Sequence, residues 1–214
     1  MFEYLMPALL MRLTPETLLH EACLQAVAEQ IAACPRTPWG ISESGHYQFD
    51  PALNYQYHAF GLPQLALRSE TARHVIAPYA AALALCVRPH AAAQNLMQME
   101  ALGWLGELGF YEAADYSVEQ DGGFALVQSH MAHHQGMALC AMCNALMDDV
   151  LVRLFSERLD VSAYSLLLEE RIPQRRSLRF HRRAVRGENR PAPRSSFASR
   201  KASSSALPLD AQVL

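Results

Sequence analysis

A single carboxylate between two serines is the side chain of this protein best suited to chemistry. Glu43 stands in the segment 39–45, which reads Trp-Gly-Ile-Ser-Glu-Ser-Gly. Glycine permits close backbone approach and positive φ angles, and serine hydroxyls can bond to the neighbouring backbone or to the carboxylate itself. We therefore expect a loop that holds Glu43 in one orientation. The alternative is a core tryptophan beside a solvated glutamate.

Aromatic residues and isolated carboxylates follow one another in the chain beyond Glu43. Flat rings stack on the apolar faces of sugars, whereas carboxylates bind hydroxyls or attack the anomeric carbon. The pattern favours chemistry at a glycosidic bond, with Glu43 as nucleophile or as general acid/base. The candidate substrate-binding side chains are Trp39, Tyr55, Tyr57, Tyr111, Glu112, Asp115, His133, His134 and Glu3.

Three of these carboxylates have two interpretations each. Glu112 and Asp115 are three residues apart, so on a helical turn they would share a face and could bind sugar hydroxyls or supply a second catalytic carboxylate. Such a pair also commonly caps a helix N-terminus. Glu3 lies in an apolar segment, which favours a protonated carboxyl that donates a proton, or it is exposed ahead of a helix that begins at Pro7.

The histidine run at 130–134 invites comparison with a zinc site, because His130 and His134 are one helical turn apart. A zinc site needs a third ligand and a supporting shell, and the sequence contains no HExxH motif and no matching Cys/His pair. We expect no metal and no cofactor here. Neutral imidazoles that hydrogen-bond to a sugar or to a carboxylate are the favoured interpretation.

Composition limits the class of protein. The chain has 214 residues, is 51% hydrophobic and has no apolar run near the ~20 residues that span a bilayer. It begins without the features of a signal peptide, and its five cysteines are an odd number, so we expect reduced thiols and a cytoplasmic location. Residues 1–174 are acidic, with 8 Arg against 19 Asp and Glu, which argues against a nucleic-acid partner.

Helical periodicity dominates the chain up to Pro173, and no series of strands stands out. We expect an all-α array resembling an (α/α)6 toroid, with chemistry at helix ends on one side and too few helices for the whole toroid. Residues 1–173 would form this domain, and the Arg/Ser/Pro-rich segment 174–214 would be a disordered basic tail. The expected helices are a first one from Pro7, then 15–33 capped by Thr14, Val75–Val87, Pro89–Gly103, Ser129–Asp148, Leu151–Leu159 and Ala163–Arg171, with turn-rich segments at 46–67 and 103–123.

Six ordered sequence blocks between residue 1 and about residue 173 resemble the glycoamylase-like domain of cyclic β-1,2-glucan synthases. They are Met-Phe-Glu-Tyr-Leu-Met-Pro at 1–7, Trp-Gly-Ile-Ser-Glu-Ser at 39–44, Tyr-Gln-Tyr-His-Ala-Phe-Gly at 55–61, Ile-Ala-Pro-Tyr at 76–79, Gly-Phe-Tyr-Glu-Ala at 109–113 and Met-Ala-His-His-Gln-Gly-Met at 131–137.

The resemblance implies an (α/α)6 fold that closes linear β-1,2-glucan into a ring by anomer-retaining transglycosylation, with Glu43 as the nucleophile. It also implies an acid/base carboxylate in a segment ahead of Met1, so that this chain would be a fragment with little activity of its own. The implied partners are other domains of a membrane-associated synthase, at the inner face of the membrane. A glucan-binding fragment without activity and a structural helical module are the alternatives.

Overall fold

The computed structural model describes residues 1–65, 74–118, 120 and 122–171, and helices account for nearly half of them. The predicted basic tail, 174–214, lies outside the described residues. Its disorder and the domain boundary at residue 173 therefore stay predictions. No helix in the described part of the chain is both long enough and apolar enough to cross a bilayer.

Two prolines start helices where the missing N–H does no harm. Pro78 and Pro89 each occupy the first turn of a helix, a position that has no intrahelical hydrogen bond to lose. The described helices are α1 Phe2–Leu5, α2 Leu18–Ala33, α3 Pro78–Leu83, α4 Pro89–Ala101, α5 Ala132–Leu146, α6 Val150–Ser156 and α7 Leu159–Tyr164. Short 3₁₀ helices follow three of them, at Met6–Leu9, Ala84–Cys86 and Ser165–Leu168.

Several helix boundaries differ from the expected ones for local reasons. Helix α2 begins after Thr17, whose Oγ1 accepts the His20 N–H (3.3 Å), so Thr14 is not the cap. Glu16 has a φ of 67°, which no helical first turn allows. The residues ahead of Pro7 already form α1, so Glu3 belongs to a helix. The helix expected from Val75 starts only at Pro78, because Val75 and Ile76 form a strand.

Seven short strands, missed by the all-α expectation, form three small antiparallel sheets in the described residues. The strands are β1 Ser44–Gly45, β2 Tyr57–His58, β3 Val75–Ile76, β4 Leu105–Gly106, β5 Gly109–Phe110, β6 Ala113–Asp115 and β7 Ala125–Val127. β1 pairs with β2, β4 pairs with β5, and β6 lies between β3 and β7. Strands of two or three residues carry too little alternation to be recognised in a sequence.

Helix α3 lies at the centre of the core. All six of its residues are buried, and it packs against α4 and α5. Alanines at 80–82 let these helices approach closely, as the sequence predicted. Because Tyr79 belongs to this immobile helix, its hydroxyl is a fixed point for the loop that carries Glu43.

Candidate active site

The loop that carries Glu43 is fastened to two elements through its backbone. Gln30 of α2 donates from Nε2 to the Ile41 carbonyl (2.7 Å) and accepts the Ile41 N–H at Oε1 (2.8 Å). The N–H of Ala77, just ahead of α3, donates to the Gly40 carbonyl (3.0 Å). Gly40 has a φ of 140°, and a Cβ there would lie 2.9 Å from the Ala77 oxygen. The close approach predicted at this glycine is confirmed.

Neither of the two serines beside Glu43 hydrogen-bonds to its carboxylate, and only Ser42 bonds to the backbone. Ser42 Oγ accepts the Phe2 N–H (3.2 Å) and lies 3.0 Å from the hydroxyl of Tyr79, which also lies 2.9 Å from the Glu43 carbonyl oxygen. Ser44 is fully buried, and its Oγ has no hydrogen-bond partner among the described residues. The prediction that a serine hydroxyl orients the carboxylate is wrong.

A tyrosine holds the Glu43 carboxylate instead, and it begins a chain of polar side chains. The Tyr57 hydroxyl donates to Glu43 Oε1 (2.8 Å) and lies 3.4 Å from His134 Nε2. His134 Nδ1 lies 2.9 and 3.0 Å from the two carboxylate oxygens of Glu112. Since an ionised carboxylate only accepts, Nδ1 carries the proton and Nε2 turns its lone pair toward Tyr57.

The inner end of this chain is out of contact with water. The side chains of His134 and Glu112 are 1% and 0% exposed. Tyr79 stacks on the imidazole with ring centroids 3.7 Å apart and an angle of 9° between the planes. Glu112 Oε1 also accepts the Gly45 N–H (3.1 Å). Removing the acceptor of a buried hydrogen-bond donor is costly, at about 1–3 kcal/mol for each group left unpaired.

Burial and nearby negative charge keep the tyrosines of the site neutral. Burial raises the pKa of Tyr57 above its usual range, and the hydrogen bond to Glu43 and the charge of Glu43 raise it further. Burial also raises the pKa of Tyr79. For Tyr55, burial and the charge of Glu112 raise the pKa to about 12. All three phenols therefore remain hydrogen-bond donors at neutral pH.

Glu112 and Asp115 do not share a helical face, because the backbone here is extended. Glu112 precedes β6, and Asp115 is the last residue of that strand. Both are 2% exposed. Asp115 accepts the N–H of Ser117 (2.9 Å) and that of Tyr47 (3.3 Å). The helical-turn prediction is wrong, and the two carboxylates bind backbone amides.

A cavity of about 340 Å³ opens beside Glu43. Its wall includes Glu3 of α1, Phe60 and Leu62, and Glu3 and Glu43 are the carboxylates among its described lining residues. Glu3 is exposed and Glu43 is half-buried. The apolar setting expected for Glu3 is therefore not observed. Its carboxyl is exposed, as in the second of the two alternatives, although its helix starts earlier than expected.

The structure separates the aromatic candidates. Trp39 is 7% exposed in the core, so its ring has little surface to offer a sugar. Its backbone exchanges hydrogen bonds of 2.8 and 3.0 Å with the side chain of Asn95. Tyr111 is half-buried, with its phenol against Gly106. Tyr55 is 43% exposed and presents a ring to solvent.

The histidine run contributes two neighbouring imidazoles to the site. The ligand atoms of Glu43, His133 and His134 lie within 4.8 Å of one another, which a cation would require. Tyr57 already donates to Glu43 and lies beside His134 Nε2, so hydrogen bonds take two of these three positions. His130, the ligand considered from the sequence, is outside this group.

Two residues of the site carried no role in the sequence interpretation. Tyr79 and Gln30 fix the loop and the imidazole, and both are buried polar side chains on helices. A tyrosine within a run of alanine and leucine after a helix-starting proline was the available signal for Tyr79. Gln30 had none, since one glutamine on a helix is ordinarily solvated.

Known proteins similar to this chain share both sequence and fold with it. The glycoamylase family, described as "Putative glucoamylase", matches residues 23–158. The cyclic β-(1,2)-glucan synthase NdvB of Rhizobium meliloti (strain 1021) is 38% identical over 180 residues, which is 81% of this chain and 6% of that protein. This chain thus spans a small part of that relative.

A solved structure shows the likeness of fold. The β-1,2-glucanase from Parabacteroides distasonis superposes with a TM-score of 0.56 at 18% identity, over 78% of this chain and 24% of that one. Because the family match covers more than half of the residues, including the loop of Glu43, the conclusion is direct: the chain belongs to the glycoamylase family.

Proposed function

We propose that this chain is part of a carbohydrate-active domain that acts on β-1,2-glucan by anomer-retaining transglycosylation, with Glu43 as the nucleophile. The central observation is the hydrogen bond from Tyr57 to Glu43 (2.8 Å) at the edge of an open cavity. The donor holds the carboxylate in one orientation beside the cavity, and an oriented carboxylate can attack an anomeric carbon. The names of the synthase and glucanase relatives support β-1,2-glucan as the substrate.

Retention of anomeric configuration requires a second carboxylate that first protonates the leaving oxygen and then deprotonates the incoming hydroxyl. Among the described residues we assign this role to Glu3, which lines the same cavity as Glu43 and is exposed. The alternative is the carboxylate that the resemblance implies ahead of Met1, with Glu3 as a substrate-binding residue. Glu112 and Asp115 are less suitable, because their oxygens accept hydrogen bonds from backbone amides in the interior.

In the proposed reaction, Glu43 displaces the leaving sugar and forms a covalent glycosyl ester, while Glu3 gives its proton to the departing oxygen. A sugar hydroxyl then attacks the same carbon, Glu3 takes its proton, and Glu43 leaves as a carboxylate. When the attacking hydroxyl belongs to the same glucan chain, the product is a ring. In a longer synthase, the other domains would be the partners of this one, at the cytoplasmic face of the membrane.

Azide rescue distinguishes the two carboxylates. The test uses the full chain with a β-linked aryl disaccharide whose leaving group needs no protonation. In Glu43→Ala, azide replaces the nucleophile, and one inversion gives the α-glycosyl azide. In Glu3→Ala, the ester at Glu43 still forms, and azide attack gives the β-glycosyl azide.

The same anomer from both variants would contradict these assignments. Saturable glucan binding by the unaltered chain, without new reducing ends or rings, would favour the binding module over the enzyme. Glu107→Ala is the matched control, because that acidic residue lies in the β4–β5 turn and outside the lining of the cavity.

A further inference from the structure

A second cavity, of about 520 Å³, lies along the loop between β1 and β2. We call it the aromatic groove and define it by its residues Tyr47, Phe49, Tyr55, Phe124, Gln128 and Ser129. Only Tyr55 among them was a candidate in the sequence. The groove shares no lining residue with the cavity beside Glu43.

The chemistry of the aromatic groove suits a neutral, polyhydroxylated ligand. Tyr47, Phe49 and Tyr55 are 39%, 62% and 43% exposed, which is high for rings in a folded chain. Gln128 adds an amide, and the Tyr55 phenol adds a hydroxyl. The described lining contains no Asp, Glu, Lys or Arg, and its histidine, His46, is only 4% exposed. A phosphorylated, acidic or basic ligand would therefore find no exposed counter-charge. Ring faces beside hydroxyl and amide groups match the two faces of a pyranose.

Hydrogen bonds order the backbone along the groove, and a site that is ordered before binding loses less entropy on binding. Asp50 fixes the tip of the loop by accepting the N–H groups of Ala52 (2.9 Å) and Asn54 (2.7 Å) at Oδ1. Asp115 Oδ2 accepts the N–H of Tyr47 (3.3 Å). Phe49 therefore projects from an ordered turn next to Asp50.

The β1–β2 hairpin joins the groove to the Glu43 carboxylate. Gly45 pairs with Tyr57. Because side chains alternate along an extended chain, Tyr55, two residues before Tyr57, lies on the same side of the hairpin. Gly45 has no side chain, and the Tyr55 phenol fills the space where its Cβ would be. A ligand could follow this side from Glu43, past Tyr55, to Phe49.

We propose that the aromatic groove is a remote glucan-binding subsite, which holds glucosyl units several residues away from the bond that reacts at Glu43. This inference rests on the proposed function. Holding a distant part of the same glucan chain raises the effective concentration of its free end at the reacting carbon. The groove would thus favour long chains and intramolecular transfer, and a disaccharide would not use it.

Binding is measured by calorimetry in a Glu43→Gln background, so that glucan is not consumed. The ligands are a long linear β-1,2-glucan and the β-1,2-linked disaccharide. Phe49→Ala is expected to raise the Kd of the long glucan about fivefold to tenfold and to leave that of the disaccharide unchanged. Leu108→Ala is the control, because Leu108 is 81% exposed in the β4–β5 turn and outside the groove.

The outcomes separate this inference from the function on which it rests. Equal Kd values for Phe49→Ala and its background would overturn the subsite and leave the assignment of Glu43 standing. An equal loss for the short and the long ligand would place Phe49 at the reacting end and overturn the remote position. No binding of either glucan by the unaltered chain, together with no products, would remove the proposed function and the subsite alike.

Discussion

Glu43 in its loop and Glu112, directly ahead of β6, are both acidic residues close to tyrosines, yet their surroundings differ. Glu43 is half-buried, has one side-chain hydrogen bond from Tyr57 and faces a cavity. The Glu112 side chain is 0% exposed and accepts hydrogen bonds from Gly45 and His134. A carboxylate that must react needs access and a free oxygen, whereas one that holds structure needs its oxygens filled. The same residue type serves reaction in one region and support in the other.

Removing Glu112 should have the largest effect on stability. In Glu112→Ala, the N–H groups of His134 and Gly45 both lose their acceptor in the interior. At about 1–3 kcal/mol for each, we expect the free energy of unfolding to fall by about 2–6 kcal/mol. Glu43→Ala loses one hydrogen bond at the surface of a cavity and should fall by about 0.5–1.5 kcal/mol. Urea unfolding followed by the fluorescence of the buried Trp39 and Trp104 measures both. Equal losses of unfolding free energy in the two variants would contradict the difference in role between Glu112 and Glu43.

Removing the Tyr57 hydroxyl, which lies between Glu43 and His134, should affect activity more than stability. Tyr57→Phe deletes the donor to Glu43, and a hydrogen bond to a charged group is worth about 1.5–3 kcal/mol, so kcat should fall roughly 10- to 150-fold. KM should change little, because Tyr57 contacts the carboxylate of Glu43. Tyr164→Phe, 66% exposed on α7, is the matched control and should retain full activity. A rise in KM with kcat unchanged would instead make Tyr57 a sugar contact.

High pH should weaken the fold through Tyr55 and Tyr79, and we expect this to be the smallest of the three predicted effects. Burial and negative charge raise the pKa of Tyr55 to about 12, and burial raises the pKa of Tyr79. Below about pH 10 the folded and unfolded chains hold these protons equally. Between about pH 10 and 12 the unfolded chain releases protons that the fold retains, so stability falls as pH rises. Denaturation midpoints at intervals across this range test it, and Tyr79→Phe should show a shallower fall.

Local patterns in the sequence predicted the elements that depend on local forces. Proline at a helix start, the alanine packing of α3 and the close approach at Gly40 all follow from steric rules that act over a few residues. Glu43 was identified as the central carboxylate because its flanking residues are unusual. The family resemblance was drawn from blocks between residue 1 and about residue 173, and the match at residues 23–158 confirms the family. The role of Glu43 stays a prediction.

The partners of the site could not be predicted, because they come together only in three dimensions. Tyr57 and His134 are 77 residues apart in sequence, and Gly45 and Glu112 are 67 apart. Neither separation leaves a periodic signal. Trp39 and Phe49 show the same difficulty for aromatic residues, since one is 7% and the other 62% exposed, and both precede polar segments. Burial, which decides between a core ring and a stacking ring, is a property of the fold.

The amide contacts of β6 with the hairpin have a consequence for the order in which the chain folds. Asp50 and Asn54 can form their turn as soon as those few residues are synthesised. The bonds from Gly45 to Glu112 and from Tyr47 to Asp115 must wait for a strand that is nearly seventy residues further along. Closing so long a loop is slow, and contacts of this range set the pace of folding. We therefore expect the tip of the hairpin to form early and its docking onto β6 to complete the site among the last steps.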